Sequence, residues 1–439
     1  MKIKLHKIYK FIASRYFWII ALPYLVQILG KVVFPSVKIY AYFPPLLVLI
    51  GLFIFGSRIK IIPYRNQSFA MQLFFAWSIF SLLFIPFYDN VASNFFNFIG
   101  IFLIHLLVMD LDDSKKKKIV ESFFIFIPIY FSINLIIQLL FPYSVGEFIF
   151  DRVNDVTDST TNYAYVSLFE SLKFNAPLSF PTTRNHSIGI LGTFGIAASA
   201  TLILLNRRTE NHEIGKLPLL FSLGGYFILV VLSHTRTAFT AIFGIMFLML
   251  FLIKGKSRVF YWSLIICSSL IFIFFYSSFQ DTLLDFFRVD TEDLSKTGTG
   301  RERILELHQL MFSERPITGW GWLLPYENFN YDVSKNPFSE SGFTFIYVSQ
   351  GLIRGSLYIL LFIVAILRNI LLRNRHYYHP LLSYMSIIFL SFLILQGAFV
   401  SATSDNAIYH LLFAISLYAN FRKSDSPSAS TSKKYLSKS

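Results

Sequence analysis

Residues 296–354 read KTGTGRERILELHQLMFSERPITGWGWLLPYENFNYDVSKNPFSESGFTFIYVSQGLIR, and the rest of the chain is organised around them. They are polar and rich in turn residues, whereas most of the chain is apolar. The Gly-rich opening runs into a helix start. Thr299 followed by Glu302 fits a capping box, in which each side chain takes the other's backbone N–H. Ile304, Leu305, Leu307, Leu310 and Met311 follow at near-helical spacing. Arg301 and His308 are seven residues apart and share one face of that helix. Pro316 and the Gly319-Trp320-Gly321 turn end it. The Ser339-Glu340-Ser341-Gly342 segment then returns the chain to an apolar helix.

Of the 439 residues, 54% are hydrophobic and only 15% are charged. Soluble domains carry about 25% charged residues, so the composition points to a membrane. A spanning helix needs about 20 apolar residues. Candidate spans fall near 11–29, 39–56, 68–88, 93–109, 119–141, 187–205, 217–233, 236–253, 259–279, 343–367, 381–399 and 407–421. The last is short. No small-residue cleavage site follows the first, which reads as a retained helix. The expected fold is therefore all-α. A single integral membrane domain over residues 1–423 would hold about 12 transmembrane helices, and a Ser- and Lys-rich tail at 424–439 is expected to be disordered. The lone Cys267 excludes a disulfide framework and a Cys metal site.

Lys and Arg set the orientation. With the N-terminus in the cytoplasm, 25 of the 39 Lys and Arg fall in cytoplasmic segments, and every short cytoplasmic loop is basic. Both termini are then cytoplasmic. The net charge of +14 follows from this bias and from contact with anionic lipid, without nucleic acid. Two long loops, about 142–186 and 280–340, lie outside and hold 16 of the 25 acidic residues. Trp320, Trp322, Phe329, Tyr331 and Phe338 give the second too much aromatic content for disorder. Both loops read as folded caps over the outer face.

Three arginines on the expected outer side stand out. Arg184 is followed by ten residues and then Gly195. Arg236 lies in a tight Ser233-His-Thr-Arg turn, where a charge near the membrane calls for an acidic partner or an anionic ligand. Arg301 directly follows Gly300 at a helix start. Arg184 reads either as a phosphate contact or as a snorkelling interface anchor. His186 reads either as an acid or base or as an interfacial hydrogen-bonder. This pattern resembles the O-antigen polymerase and O-antigen ligase superfamily of membrane glycosyltransferases. The likeness lies in Arg-x10-Gly, Ser-x-x-Arg, and Gly-Arg before an amphipathic helix. It continues through Pro, a Gly-x-Gly turn, and a polar residue heading a helix with a glycine eleven residues later, here Glu340 and Gly351.

The resemblance implies a lipid-diphosphate donor at the outer headgroup level. Arg184, Arg236 and Arg301 would bind its diphosphate, since the guanidinium fork grips phosphate bidentately and keeps its proton. The same charge would stabilise the departing diphosphate. Ligases of the superfamily carry a His where this chain has Glu340, which favours the polymerase. Glu340 reads either as the base for the acceptor hydroxyl or as a carboxylate complementing a helix dipole. Arg354 reads as its ion-pair partner or as a further phosphate contact. His308 joins His186 as a candidate. The second Arg-x10-Gly copy of the polymerases is missing here.

No metal or cofactor is expected. Asp110-Leu-Asp112 falls beside four lysines and reads as a loop end. Asp290, Glu292 and Asp293 lack a ligand spacing, and no Walker loop is present. The expected function is a polysaccharide polymerase (O-antigen, capsule or exopolysaccharide) in the bacterial inner membrane. It would transfer a glycan chain from undecaprenyl diphosphate to a lipid-linked repeat unit. Its partners would be that lipid-linked oligosaccharide and membrane lipid, with a flippase and a chain-length regulator beside it. A ligase that passes the glycan to lipid A core or protein is the second reading. A lipid-linked oligosaccharide flippase is the third, but it should show internal repeats and charged spans. Cysteines placed at Thr160 and Asn330 should label from outside, and at Ser114 and Lys256 only after permeabilisation. Labelling of Ser114 in intact cells would overturn the orientation.

Overall fold

The computed structural model describes residues 14–33, 43–54, 103–141, 145–154, 165–172, 177–182, 185–206, 216–233, 236–252, 305–320, 342–372, 379–396 and 407–420. Among these the regular structure is helical, apart from an isolated bridge at Phe180. In chain order the helices are α1 (Arg15–Val33), α2 (Phe43–Ile54), α3 (103–110), α4 (Asp113–Leu140), α5 (Val145–Asn154), α6 (Leu168–Ser171) and α7 (Asn185–Asn206). They continue as α8 (Lys216–Leu232), α9 (Arg236–Leu252), α10 (305–314), α11 (Gly342–Leu372), α12 (Pro380–Gln396) and α13 (Ala407–Leu417). The expected spans at 68–88 and 259–279, Cys267, the Thr299–Glu302 capping box and the tail lie outside the described residues.

Among the described residues, three helices are long and apolar enough to cross a membrane: Asp113–Leu140, Ile188–Leu205 and Thr344–Leu372. The surface supports the same reading. On α1, Trp18, Leu22, Leu25, Leu29 and Val33 are all exposed, and their spacing makes one continuous stripe. On α11, Leu360, Ile363, Leu367 and Leu371 form another. A soluble bundle turns such stripes inward; here they face out, as hydrocarbon requires.

The centre is α12. It packs against α7, α9, α11, α13 and α4. Its sequence is apolar on all sides, so it has no face to offer water. Residues 381–390 are buried without exception. Helix α7 docks tightly on α8 because its small residues permit it. A Cβ on Gly192 would lie 2.6 Å from Val230 Cγ2, and one on Gly195 would lie 2.7 Å from the Tyr226 ring.

One end of the bundle is closed by cations on a helix C-terminus. Lys116, at the start of α4, is fully buried; it donates to Asp113 Oδ1 at 3.0 Å and to the Tyr418 carbonyl at 2.9 Å. Arg368, near the end of α11, donates to the carbonyls of Leu417 at 2.7 Å and Ala419 at 2.8 Å. These carbonyls end α13, where the helix dipole favours positive charge. Asn420 follows in a left-handed conformation (φ 55), accepts the His379 N–H at 2.9 Å and donates to Ser383 Oγ at 2.7 Å.

This arrangement fixes which helix ends share a face. The N-terminus of α4, the C-terminus of α11, the N-terminus of α12 and the C-terminus of α13 meet at one cluster. The opposite ends of α4 and α11 therefore point away from this cluster. Replacing Lys116 with Met should leave Asp113 buried without its cation, at a cost of about 3–5 kcal/mol. Lys117→Met, which breaks only a half-exposed 3.6 Å pair with Glu121, should change stability by less than about 1 kcal/mol. Thermal unfolding of the solubilised variants checks the contrast.

Candidate functional site

The expected ending of the loop helix is observed, and it does more than end a helix. Helix α10 stops at residue 314, followed by a turn through Pro316. The Gly319 N–H donates to the Arg315 carbonyl at 3.0 Å, and Gly319 takes φ 67, the left-handed value that glycine adopts readily. Trp320 is buried; its indole N–H donates to the Met311 carbonyl at 2.7 Å. The Arg315 guanidinium lies 4.0 Å over the Trp320 ring.

Helix α11, expected as an apolar span from 343, is broken at Gly351, whose φ is 69 and ψ 174. An intact helix would bond Leu352 N–H to the Val348 carbonyl. Here both groups turn to the Pro316–Trp320 segment instead. The Trp320 N–H donates to Val348 at 2.9 Å, and the Leu352 N–H donates to Pro316 at 2.7 Å. The two glycines touch backbone to backbone. A Cβ on Gly319 would lie 2.4 Å from Gly351 N, and one on Gly351 would lie 2.1 Å from the Ile317 carbonyl oxygen. Arg354 is buried and donates to the Thr318 carbonyl. Beyond the break, residues 352–372 suffice for about 30 Å of helix, the thickness of a hydrocarbon core.

The docked turn seats α10 along 344–352. His308 is buried, its Nδ1 lies 2.9 Å from Thr344 Oγ1, and burial lowers its pKa to about 4. The imidazole is therefore neutral near pH 7. A cavity of about 400 Å3 lies between the two helices. Its lining includes His308, Gln309, Phe312, Thr344, Tyr347 and Leu352.

A second set of contacts holds the segment before Arg184. Tyr130, Asn134 and Gln138 recur every fourth residue on α4, and Asn134 and Gln138 are buried. The Thr182 hydroxyl donates to Asn134 Oδ1 at 2.7 Å and lies 2.7 Å from the Tyr130 hydroxyl. Gln138 donates to the Ser179 carbonyl. Leu178 N–H donates to the Leu232 carbonyl at 2.8 Å, just before the turn that leads to Arg236. The chain entering the Arg184 turn and the chain entering the Arg236 turn are thus bonded to each other.

Of the expected site residues, His308 and Arg354 are brought within one docked unit. Arg236 begins α9 and His186 lies in the first turn of α7; their side chains, and all of Arg184, Arg301 and Glu340, lie outside the described residues. Gly195 of the Arg-x10-Gly spacing has a packing reason, since the Tyr226 ring lies against it. Thr344, Phe312 and Tyr347 were missed as lining residues. The four-residue rhythm of Tyr130, Asn134 and Gln138 inside an apolar span is the signal in the sequence for that contact. Among the described residues no group of three or more His, Cys, Asp or Glu side chains is placed to hold a metal.

An all-helical unit with three long apolar helices and outward-facing apolar stripes describes a membrane protein. Residues 219–353 match the family model described as O-antigen ligase. The match spans Arg236, Arg301, His308, Gly319, Glu340 and Gly351, and stops one residue before Arg354. The likeness to the O-antigen polymerase and ligase superfamily thus rests on this match as well as on the motifs. No curated protein matches the chain. The match supports a membrane glycosyltransferase-like activity of the O-antigen ligase and polymerase kind.

Gly351→Ala should cost about 1–3 kcal/mol in backbone strain alone, before the overlap with Ile317. We expect α10 to undock and Trp320 to lose its cover, so limited chymotrypsin should cleave after Trp320 faster than in the parent. Gly224→Ala, with no atom within 4 Å of the added Cβ, should leave cleavage unchanged.

Proposed function

We propose that the protein is a polysaccharide polymerase acting at the outer face of the bacterial inner membrane, with both termini in the cytoplasm. The supporting observation is the docking of the Gly319 turn on the Gly351 break, within the matched family region. It seats a loop helix beside the head of α11, where Glu340 and Arg301 lie close in sequence to the docked unit. The donor is a glycan on undecaprenyl diphosphate, and the acceptor is a lipid-linked repeat unit. An acceptor hydroxyl attacks the anomeric carbon of the donor sugar. The bond from that carbon to the diphosphate oxygen breaks with its electron pair. Glu340 takes the acceptor proton, and Arg184, Arg236 and Arg301 hold the leaving diphosphate. Arg354 supports this set through Thr318 and by its positive charge. No metal is required, because the arginines supply the charge. A flippase and a chain-length regulator are the expected protein partners.

Glu340 in place of the ligase histidine favours polymerisation. The family description as O-antigen ligase keeps transfer to lipid A core or protein as the second reading. Glycan analysis of a deletion strain separates them. Single lipid-linked repeats mean polymerase, and long lipid-linked chains mean ligase. Reintroduced Arg301→Ala should lose about a hundredfold in rate, about 3 kcal/mol, at normal membrane abundance. Arg303→Ala should lose little. Two residues apart on a helix puts these arginines about 200° apart, so they cannot face one site. Equal polymerisation by the two variants would remove Arg301 from the mechanism.

A further inference from the structure

The cavity between α10 and residues 344–352 carries a second assignment. Its volume of about 400 Å3 suits a small ligand, for which about 300–1,000 Å3 is usual. Its walls are mainly apolar, with Leu305, Val348 and Leu352 beside two aromatic rings and three polar side chains. Phe312 and Tyr347 present rings 6.5 Å apart, edge to face. His308, Gln309 and Thr344 add polar groups. Among the described residues, no Asp, Glu, Lys or Arg lines it. A sugar ring has the matching chemistry: its C–H face packs on an aromatic ring, and its hydroxyls bond to amide, imidazole and hydroxyl groups. An anion would meet no countercharge from the described lining residues, which a partly buried site penalises.

We propose that this cavity is a saccharide subsite that holds an uncharged sugar ring of the substrate, separate from the arginines that hold the diphosphate. The assignment rests on the glycosyl-transfer reading but is tested without transfer. Burial keeps His308 neutral near pH 7, so it serves here as a hydrogen-bonding and positioning residue. Its bond to Thr344 fixes the ring, and α10 carries it from the loop to the head of α11. The subsite therefore selects for sugars without a carboxylate or phosphate at that position.

The test is saturation-transfer NMR on the full-length protein in a sugar-free phosphocholine detergent. The probes are methyl α-glucoside, methyl N-acetyl-α-glucosaminide and methyl α-glucuronide. Transfer to the first two, and about fivefold less to the glucuronide, is expected. Tyr347→Ala and His308→Ala should lower the neutral signal by about fivefold; Tyr347→Phe should keep it. Gln309 is exposed, so Gln309→Ala tests the lining without disturbing the fold, and it should weaken binding too. Leu310→Ala, exposed and outside the cavity, should not. Equal transfer to the glucuronide, no transfer to any glycoside, or binding unchanged in Tyr347→Ala and Gln309→Ala overturns the assignment. A cavity filled by a lipid tail would give the second result. Normal glycans in the deletion strain would instead sink the transferase reading, leaving the binding result to stand alone.

Discussion

One exchanged hydrogen bond organises the contact between α10 and α11. The helix bond between Leu352 N–H and the Val348 carbonyl is absent, and each group bonds instead to the turn after α10. A broken helix near a membrane is expensive unless its freed groups find partners. The Pro316–Trp320 turn supplies both at once. Only glycine fits at the two contact points, because the backbones meet with no room for a Cβ. The result is a loop helix held in register with the head of a transmembrane helix. A buried arginine, Arg354, reaches the same turn from the membrane side.

The opposite end uses different physics for the same purpose. There the C-terminus of α13 offers carbonyls and negative dipole to Lys116 and Arg368. Cations that count in the sequence as orientation signals are here interior caps. Because the two come from α4 and α11, the cluster also aligns those helices.

Between these ends, polar residues inside apolar helices hold a connecting segment against the bundle. Asn134 and Gln138 would each be costly in hydrocarbon without partners. They hold the Ser179–Thr182 segment that precedes Arg184. The adjacent bond from Leu178 to Leu232 ties this segment to the chain that leads into Arg236. Gly195 serves the same assembly from the packing side, by letting α7 lie against Tyr226. The Arg-x10-Gly spacing therefore joins a charged residue to a close-packing one.

Composition and apolar runs were enough to read an all-helical membrane protein, because hydrocarbon leaves few other options. The turn at Pro316–Gly319 was legible for a similar reason: proline and glycine restrict the backbone locally. The family likeness was legible in short motifs around Arg236, Arg301 and Gly351. Other features depended on partners distant in sequence. The break at Gly351 reads as an ordinary small residue in a span until Pro316 and Trp320 are seen against it. Lys116 reads as one of four surface lysines until Tyr418 is found beside it. The His308 cavity needs α10 laid on α11. In each case local sequence states a capacity, and the tertiary contact decides its use, because a hydrogen bond or a close approach exists only when both halves are in place.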